Sequence, residues 1–203
     1  VLDKKGNKMS KRLGNAVDPF ETIDKYGSDP LRWYMMTNAS PWDNLKFDVE
    51  GIEEVRGKFF GTLYNTYSFF ALYANVDKFS YAEKEVPLAD RPEIDRWILS
   101  LLNTLVKEVQ EHYENYEPTR AGRAIADFVG ENLSNWYVRR ARRRYWALSM
   151  TDDKEEAYKT LSYILISVSK LIAPFVPYIS ETIFINITGE KSVHLTDYPA
   201  PLP

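Results

Sequence analysis

Between Val49 and Ile187, apolar residues return at every third or fourth position, a spacing that a helix turns into one continuous face and a strand does not. Ile52, Val55, Phe59, Phe60, Leu63, Tyr64, Tyr67, Phe70, Ala71 and Ala74 form the first such stripe, with Glu53, Glu54, Arg56 and Lys58 lying off it. After a connecting loop over 76–91, which holds Pro87, a second helix opens at Pro92 and runs to about Tyr116. Ile94, Trp97, Ile98, Leu101, Leu102, Leu105, Val106 and Val109 make its buried face. Glu117-Pro118-Thr119 breaks that helix and starts a third, reaching about Leu148. Asp152, with Glu155 three residues on, reads as a capping box for a fourth helix to Ile172, and Pro174 and Pro177 punctuate a last helical stretch to about Ile187. Long helices without a strand-rich segment predict an all-α, up-and-down helical bundle.

The first 48 residues have a different texture. Asp18-Pro19 starts a short helix to Tyr26 that Gly27 ends, and Asp29 is expected to cap the next helix with Pro30 at its first position. Leu31 to Met36 continue it, and a loop follows at 38–43. These residues hold too little apolar surface for a core of their own. We therefore read 1–48 as the tail of a nucleotide-binding domain and 49–203 as the bundle with an extended C-terminal tail. The chain lacks an initiator methionine, which agrees with reading it as a fragment.

Two stretches carry chemistry. In the first twelve residues Lys4, Lys5, Lys8, Lys11 and Arg12 face a single acid, Asp3. Lys8 and Lys11 are mobile point charges three residues apart that can close on phosphate oxygens, and Ser10 adds a hydroxyl. The bland alternative is a solvated, frayed basic terminus. The second stretch is NWYVRRARRRYW, 135–146, in which Arg139, Arg140, Arg142, Arg143 and Arg144 are flanked by Trp136, Tyr137, Tyr145 and Trp146. At about 100° per residue the five arginines cannot share one face. Some are expected to pair inside the bundle with Asp95, Asp127 or Glu131, and the others to contact the phosphates of a structured RNA.

Composition excludes other chemistries. There is no cysteine, and the only histidines, His112 and His194, are isolated, which argues against zinc or any metal site. His112 reads as a surface or helix-end residue, and His194 as a packing residue. The carboxylates of Glu53-Glu54 and Glu155-Glu156 are adjacent on helices and face apart, so they read as solvated surface. Asn15 reads as a turn residue. The most apolar region, 161–187, is interrupted by Ser167, Ser169, Lys170, Pro174 and Pro177, so no membrane span and a cytoplasmic location are expected. A net charge of −3 requires any nucleic-acid binding to rest on local patches.

The string KMSKRLGNAVDP, 8–19, resembles the KMSKS signature loop of class I aminoacyl-tRNA synthetases, in the group that handles isoleucine, valine and leucine. The resemblance implies that Lys8, Met9, Ser10, Lys11 and Arg12 belong to an ATP-binding loop, with Lys8 and Lys11 as the catalytic lysines at the phosphates. Arg12 departs from the pattern, which has a second serine there. DRWILS at 95–100, NWYVRRARRRYW and SVHLTDYP at 192–199 are most similar to the isoleucine branch, so the resemblance spans nearly the whole chain. It implies that 49–203 is an anticodon-binding domain whose partner is tRNA(Ile), with Arg139, Arg140, Arg142, Arg143, Arg144 and Trp136 as candidate contacts. ATP with Mg2+ and isoleucine are then the substrates of the full-length ligase, which is expected to act as a monomer. No paired-histidine signature, amino-acid pocket or editing domain lies in these residues, so the chain alone is expected to bind no cofactor and to be catalytically incompetent. Without the rest of its domain the loop at 8–12 is expected to be disordered. A valyl or leucyl relative, a free-standing tRNA-binding module and a purely structural helical adaptor are the alternatives.

Overall fold

The computed structural model describes residues 1–80 and 87–200, and the expected loop over 76–91 lies partly outside them. Its α-helices are α1 (Pro19–Tyr26), α2 (Ser28–Thr37), α3 (Val49–Val55), α4 (Gly61–Asp77), α5 (Glu93–Glu114), α6 (Pro118–Asp127), α7 (Arg139–Tyr145), α8 (Asp152–Ile172) and α9 (Pro177–Thr188). The described residues contain no strand beyond isolated bridges from Leu2 to Lys8 and Lys46. α8 runs through the middle, buried along most of its length, and α4, α5, α6, α7 and α9 pack around it. The predicted all-α bundle is the observed one.

Two stretches depart from α geometry. Arg56–Phe60 joins α3 to α4 as a π-helical segment, and Phe128–Val138 joins α6 to α7 in the same way. In the first, the N–H of Gly61 bonds back five residues to Arg56. Such segments fit more than 3.6 residues into a turn, so faces counted at 100° from Pro118 drift before the arginines begin. The predicted third helix is thus one continuous rod in three parts.

The main core is aromatic where the N-terminal segment enters it. Trp33 of α2 stacks on Phe59 with centroids 4.0 Å apart and planes 2° from parallel, while Phe60 and Phe175 meet it edge-on. A second, smaller cluster of Tyr26, Tyr34, Leu45, Phe47 and Ile52 joins α1 and α2 to α3. Gly51 is required there, because a Cβ at that position would stand 2.5 Å from the Tyr34 ring.

Helix ends are capped from far away in sequence. Asp18 caps α1 as expected, its carboxylate accepting from Phe20 and Glu21. Asp29 does not cap its own helix, which follows Gly27 without a side-chain cap. Its buried carboxylate instead accepts the N–H of Ile179 at 2.8 Å, with Tyr178 at 3.5 Å, in the first turn of α9. Burial pushes this carboxyl up, and the two N–H groups oppose that. Arg32 donates to the carbonyls of Phe175 and Pro174 after α8, and Arg123 and Thr119 serve the carbonyls that end α2. The fourth predicted helix begins one residue earlier than its expected capping box: Thr151 is the cap, accepting from the N–H of Lys154, and Asp152 lies within the first turn.

Buried ions sit at the end of the bundle where α4 and α7 finish and α5 and α8 begin. Lys154 Nζ lies 2.6 Å from Asp77 Oδ2 and donates to Ala147 O, and Tyr158 Oη also donates to Asp77. Burial works to raise the Asp77 carboxyl, but the bonds from Lys154 and Tyr158 win and hold it below its usual value. This stabilisation is complete above the unfolded carboxylate value, about 4, and is lost as pH falls through the lower folded value. Urea denaturation across pH 2–7 is therefore expected to show Asp77→Asn less stable than the parent at neutral pH, with the gap closing in acid. A gap independent of pH would contradict this.

Candidate nucleic-acid interface and phosphate loop

Lys8 to Arg12 forms a closed turn, in contrast to the expected disorder. Ser10 caps a short 3-10 helix, Lys11–Leu13, its hydroxyl accepting from Leu13 N at 3.2 Å, and Gly14 ends it at φ 65°. Asn15 is the latch: its Oδ1 accepts from Ser10 N at 2.9 Å, and its amide donates to Lys8 O at 3.2 Å and Asp3 Oδ2 at 2.9 Å. Asp3 also accepts from the N–H groups of Lys5 and Asn7, so the turn is bonded within itself. The Asn15 amide, then the Asn7 N–H, hold the Asp3 carboxyl below its usual value. In the sequence Asn15 has the form of an ordinary turn residue, and its spacing from Asp3 carries no local signal.

Replacing Asn15 with alanine is expected to raise the Asp3 pKa toward its ordinary value and to accelerate exchange of the Ser10 amide. Both are readable by NMR. Unchanged Ser10 protection would mean that the latch contributes nothing.

The latch leaves the cations outside. Lys8, Lys11 and Arg12 are exposed, and among the described residues none of them forms an ion pair, whereas Lys4 is held by Asp48 at 3.1 Å and Glu50 at 2.9 Å. Met9 points the other way, packing beside Leu31 and Met35 over an apolar cleft of about 230 Å3 floored by Phe47. Three exposed cations without an ion-pair partner among the described residues thus share one short turn.

The five arginines divide unequally. Arg144 is the internal one: Nη1 and Nη2 reach Oδ1 and Oδ2 of fully buried Asp95 at 2.6 and 2.8 Å, and Nη2 also donates to Asp153 O at 2.8 Å. Its Nε stands 2.9 Å from Asp153 Oδ1, out of line for a hydrogen bond. Burial opposes the charge on Arg144, but Asp95 overcomes it and raises the guanidinium. Tyr137 Oη donates to the same Asp95 at 2.7 Å, and burial pushes that phenol far up. Of the three acids expected to pair with arginines, Asp95 does so. Asp127 and Glu131 do not among the described residues, and Glu131 accepts from Asn135 instead.

Arg139, Arg140, Arg142 and Arg143 are exposed and without ion-pair partners among the described residues. Two of them are braced on rings: Arg140 lies 4.4 Å over Trp136, which packs on Trp97 at 4.3 Å, and Arg142 lies 5.7 Å from Phe69. Trp136 is 39% exposed, and its ring is occupied by these neighbours. Such bracing holds a guanidinium fork in place at little further entropic cost.

An all-α bundle that presents unpaired, braced arginines on one helix and an ordered cationic turn at its other part invites comparison with known proteins. Residues 95–203, more than half of the chain, match the family described as the anticodon-binding domain of tRNA ligase. The chain belongs to this family. Residues 1–48 match class I tRNA synthetases (I, L, M and V). The isoleucine–tRNA ligase of Porphyromonas gingivalis is 69% identical over 202 residues, covering 99% of this chain and 18% of that protein. Those of Bacteroides thetaiotaomicron and Cytophaga hutchinsonii are 65% and 60% identical, each over 98% of this chain and 18% of the relative. The chain thus spans about a fifth of the length of these curated relatives. A crystal structure of the Agrobacterium radiobacter K84 LeuRS–tRNA–LeuAMS ternary complex has the same fold, with TM-score 0.74 at 22% identity over 98% of this chain and 23% of that one. Among the described residues of this anticodon-binding family member, no helix is long and apolar enough to cross a membrane, and no three acids or histidines are grouped to hold a metal.

Proposed function

We propose that the chain is the part of an isoleucine–tRNA ligase that carries the ATP loop and the anticodon-arm bundle. The observation that carries this reading is 60–69% identity to isoleucine–tRNA ligases across the whole chain, from the cationic turn to the C-terminal tail. In the full ligase, isoleucine is activated with ATP and transferred to tRNA(Ile). Lys8 and Lys11 hold the phosphates, where negative charge builds as pyrophosphate leaves, and the latch through Asn15 presets their turn. Ser10 and Arg12 add a hydroxyl and a fork beside them. Mg2+ enters as the nucleotide's own complex, since the turn offers cations and no carboxylate set for a metal.

Residues 1–48 in this reading complete a nucleotide-binding domain, and 49–203 hold the RNA. Arg139, Arg140, Arg142 and Arg143 contact its backbone, Trp136 acts through Arg140, and Arg144 positions their helix. The chain by itself forms no adenylate and acts in the cytoplasm only as part of the whole enzyme.

A titration with an isoleucine tRNA, a valine tRNA and an unrelated tRNA, at two salt concentrations, tests this. A preference for the isoleucine tRNA that survives the higher salt supports it. Equal, salt-sensitive binding to all three would remove the bundle from substrate choice, and an ATP–pyrophosphate exchange signal from this chain would refute its proposed incompetence.

A further inference from the structure

Trp146 follows the last residue of α7 and is 56% exposed. Its polar atom is already satisfied within the bundle's surface: Nε1 donates to half-buried Tyr73 Oη at 2.8 Å, and Tyr73 packs against buried Tyr145. The indole is therefore held in place with only its π surface left to offer. Counting along α7, Arg139, Arg143 and Trp146 stand at i, i+4 and i+7, which places them on one outward stripe about 10 Å long. Ala141 and Tyr145, on the opposite side of the same helix, are buried.

A ligand for this stripe has to be flat and apolar at one end and anionic along the rest. An apolar peptide would leave the two unpaired guanidinium groups beside it uncompensated. A nucleotide satisfies both, its base on the indole and its phosphates on Arg143 and Arg139. We propose that Trp146 is a stacking platform for one unpaired base of the bound RNA, with Arg139 and Arg143 holding the adjoining phosphates. The proposal rests on the reading of this bundle as an RNA binder and adds a site for a single-stranded nucleotide to it.

The test compares binding of the chain to an RNA hairpin, whose loop is unpaired, and to a blunt duplex of the same stem, each at two salt concentrations. Trp146→Ala is expected to weaken hairpin binding about tenfold, with duplex binding and the salt slope unchanged. Trp146→Phe, which keeps a ring, is expected to restore most of the hairpin affinity. Arg139→Ala with Arg143→Ala is expected to weaken both RNAs and flatten the salt slope. Hairpin binding by Trp146→Ala equal to that of the parent, or an equal loss on hairpin and duplex, would overturn the platform. Failure of the unaltered chain to bind either RNA would overturn the RNA-binding reading itself, and the platform with it.

Discussion

Asp95→Ala is expected to lower folding stability by about 3–5 kcal/mol, because it removes one partner of a buried ion pair and leaves the other uncompensated. Asp95 is wholly buried and accepts three bonds, two from Arg144 and one from Tyr137. Its loss strands a cation that is 12% exposed and a buried phenol at once. Urea denaturation reads the change as a shift in midpoint at constant slope. The double change Asp95→Leu, Arg144→Met is expected to be less damaging than Asp95→Ala, since well-packed apolar pairs replace buried ion pairs at little cost. A loss below about 1 kcal/mol for Asp95→Ala would mean that water reaches the pair and that it behaves as a surface salt bridge. The pair also ties α7 to α5 and, through Asp153, to α8, so its removal is expected to loosen the helix that presents the other four arginines.

On the function proposed above, Lys11→Ala made in the full-length ligase is expected to slow ATP–pyrophosphate exchange about 100- to 1000-fold, the cost typical of removing one preorganised charge from a developing anion. The effect should fall on kcat, with a smaller change in KM for ATP, if the lysine acts mainly in the transition state. Lys11 is exposed and outside the Asn15 latch, so the substitution leaves the turn itself intact. A decrease of less than about tenfold would move the catalytic charge to Lys8 or Arg12.

The helices were legible because their signals are local. Apolar spacing, Asp18 before Pro19, and Pro118 after Glu117 act within one or two turns, and each marks an observed helix or its start. Local reading failed at Asp29 and Asn15. Each has the form of a residue serving its own turn, yet Asp29 caps a helix 150 residues away and Asn15 bonds back to Asp3. Thr151 caps α8 although Asp152 with Glu155 carries the capping-box pattern and Thr151, with Lys154 three residues on, does not.

The sequence by itself determined an all-α bundle, a cationic turn at Lys8–Arg12 and an arginine-rich helix, because periodicity and residue chemistry are carried by neighbours in the chain. Only the tertiary structure decided which arginines are free. Asp95 lies 49 residues from Arg144 and takes that guanidinium alone, while a π-helical stretch before Arg139 shifts the phase of the helix on which the four others are exposed. Burial and helix phase are properties of the packed bundle, since the energy of a charge depends on which partner reaches it once water has been excluded.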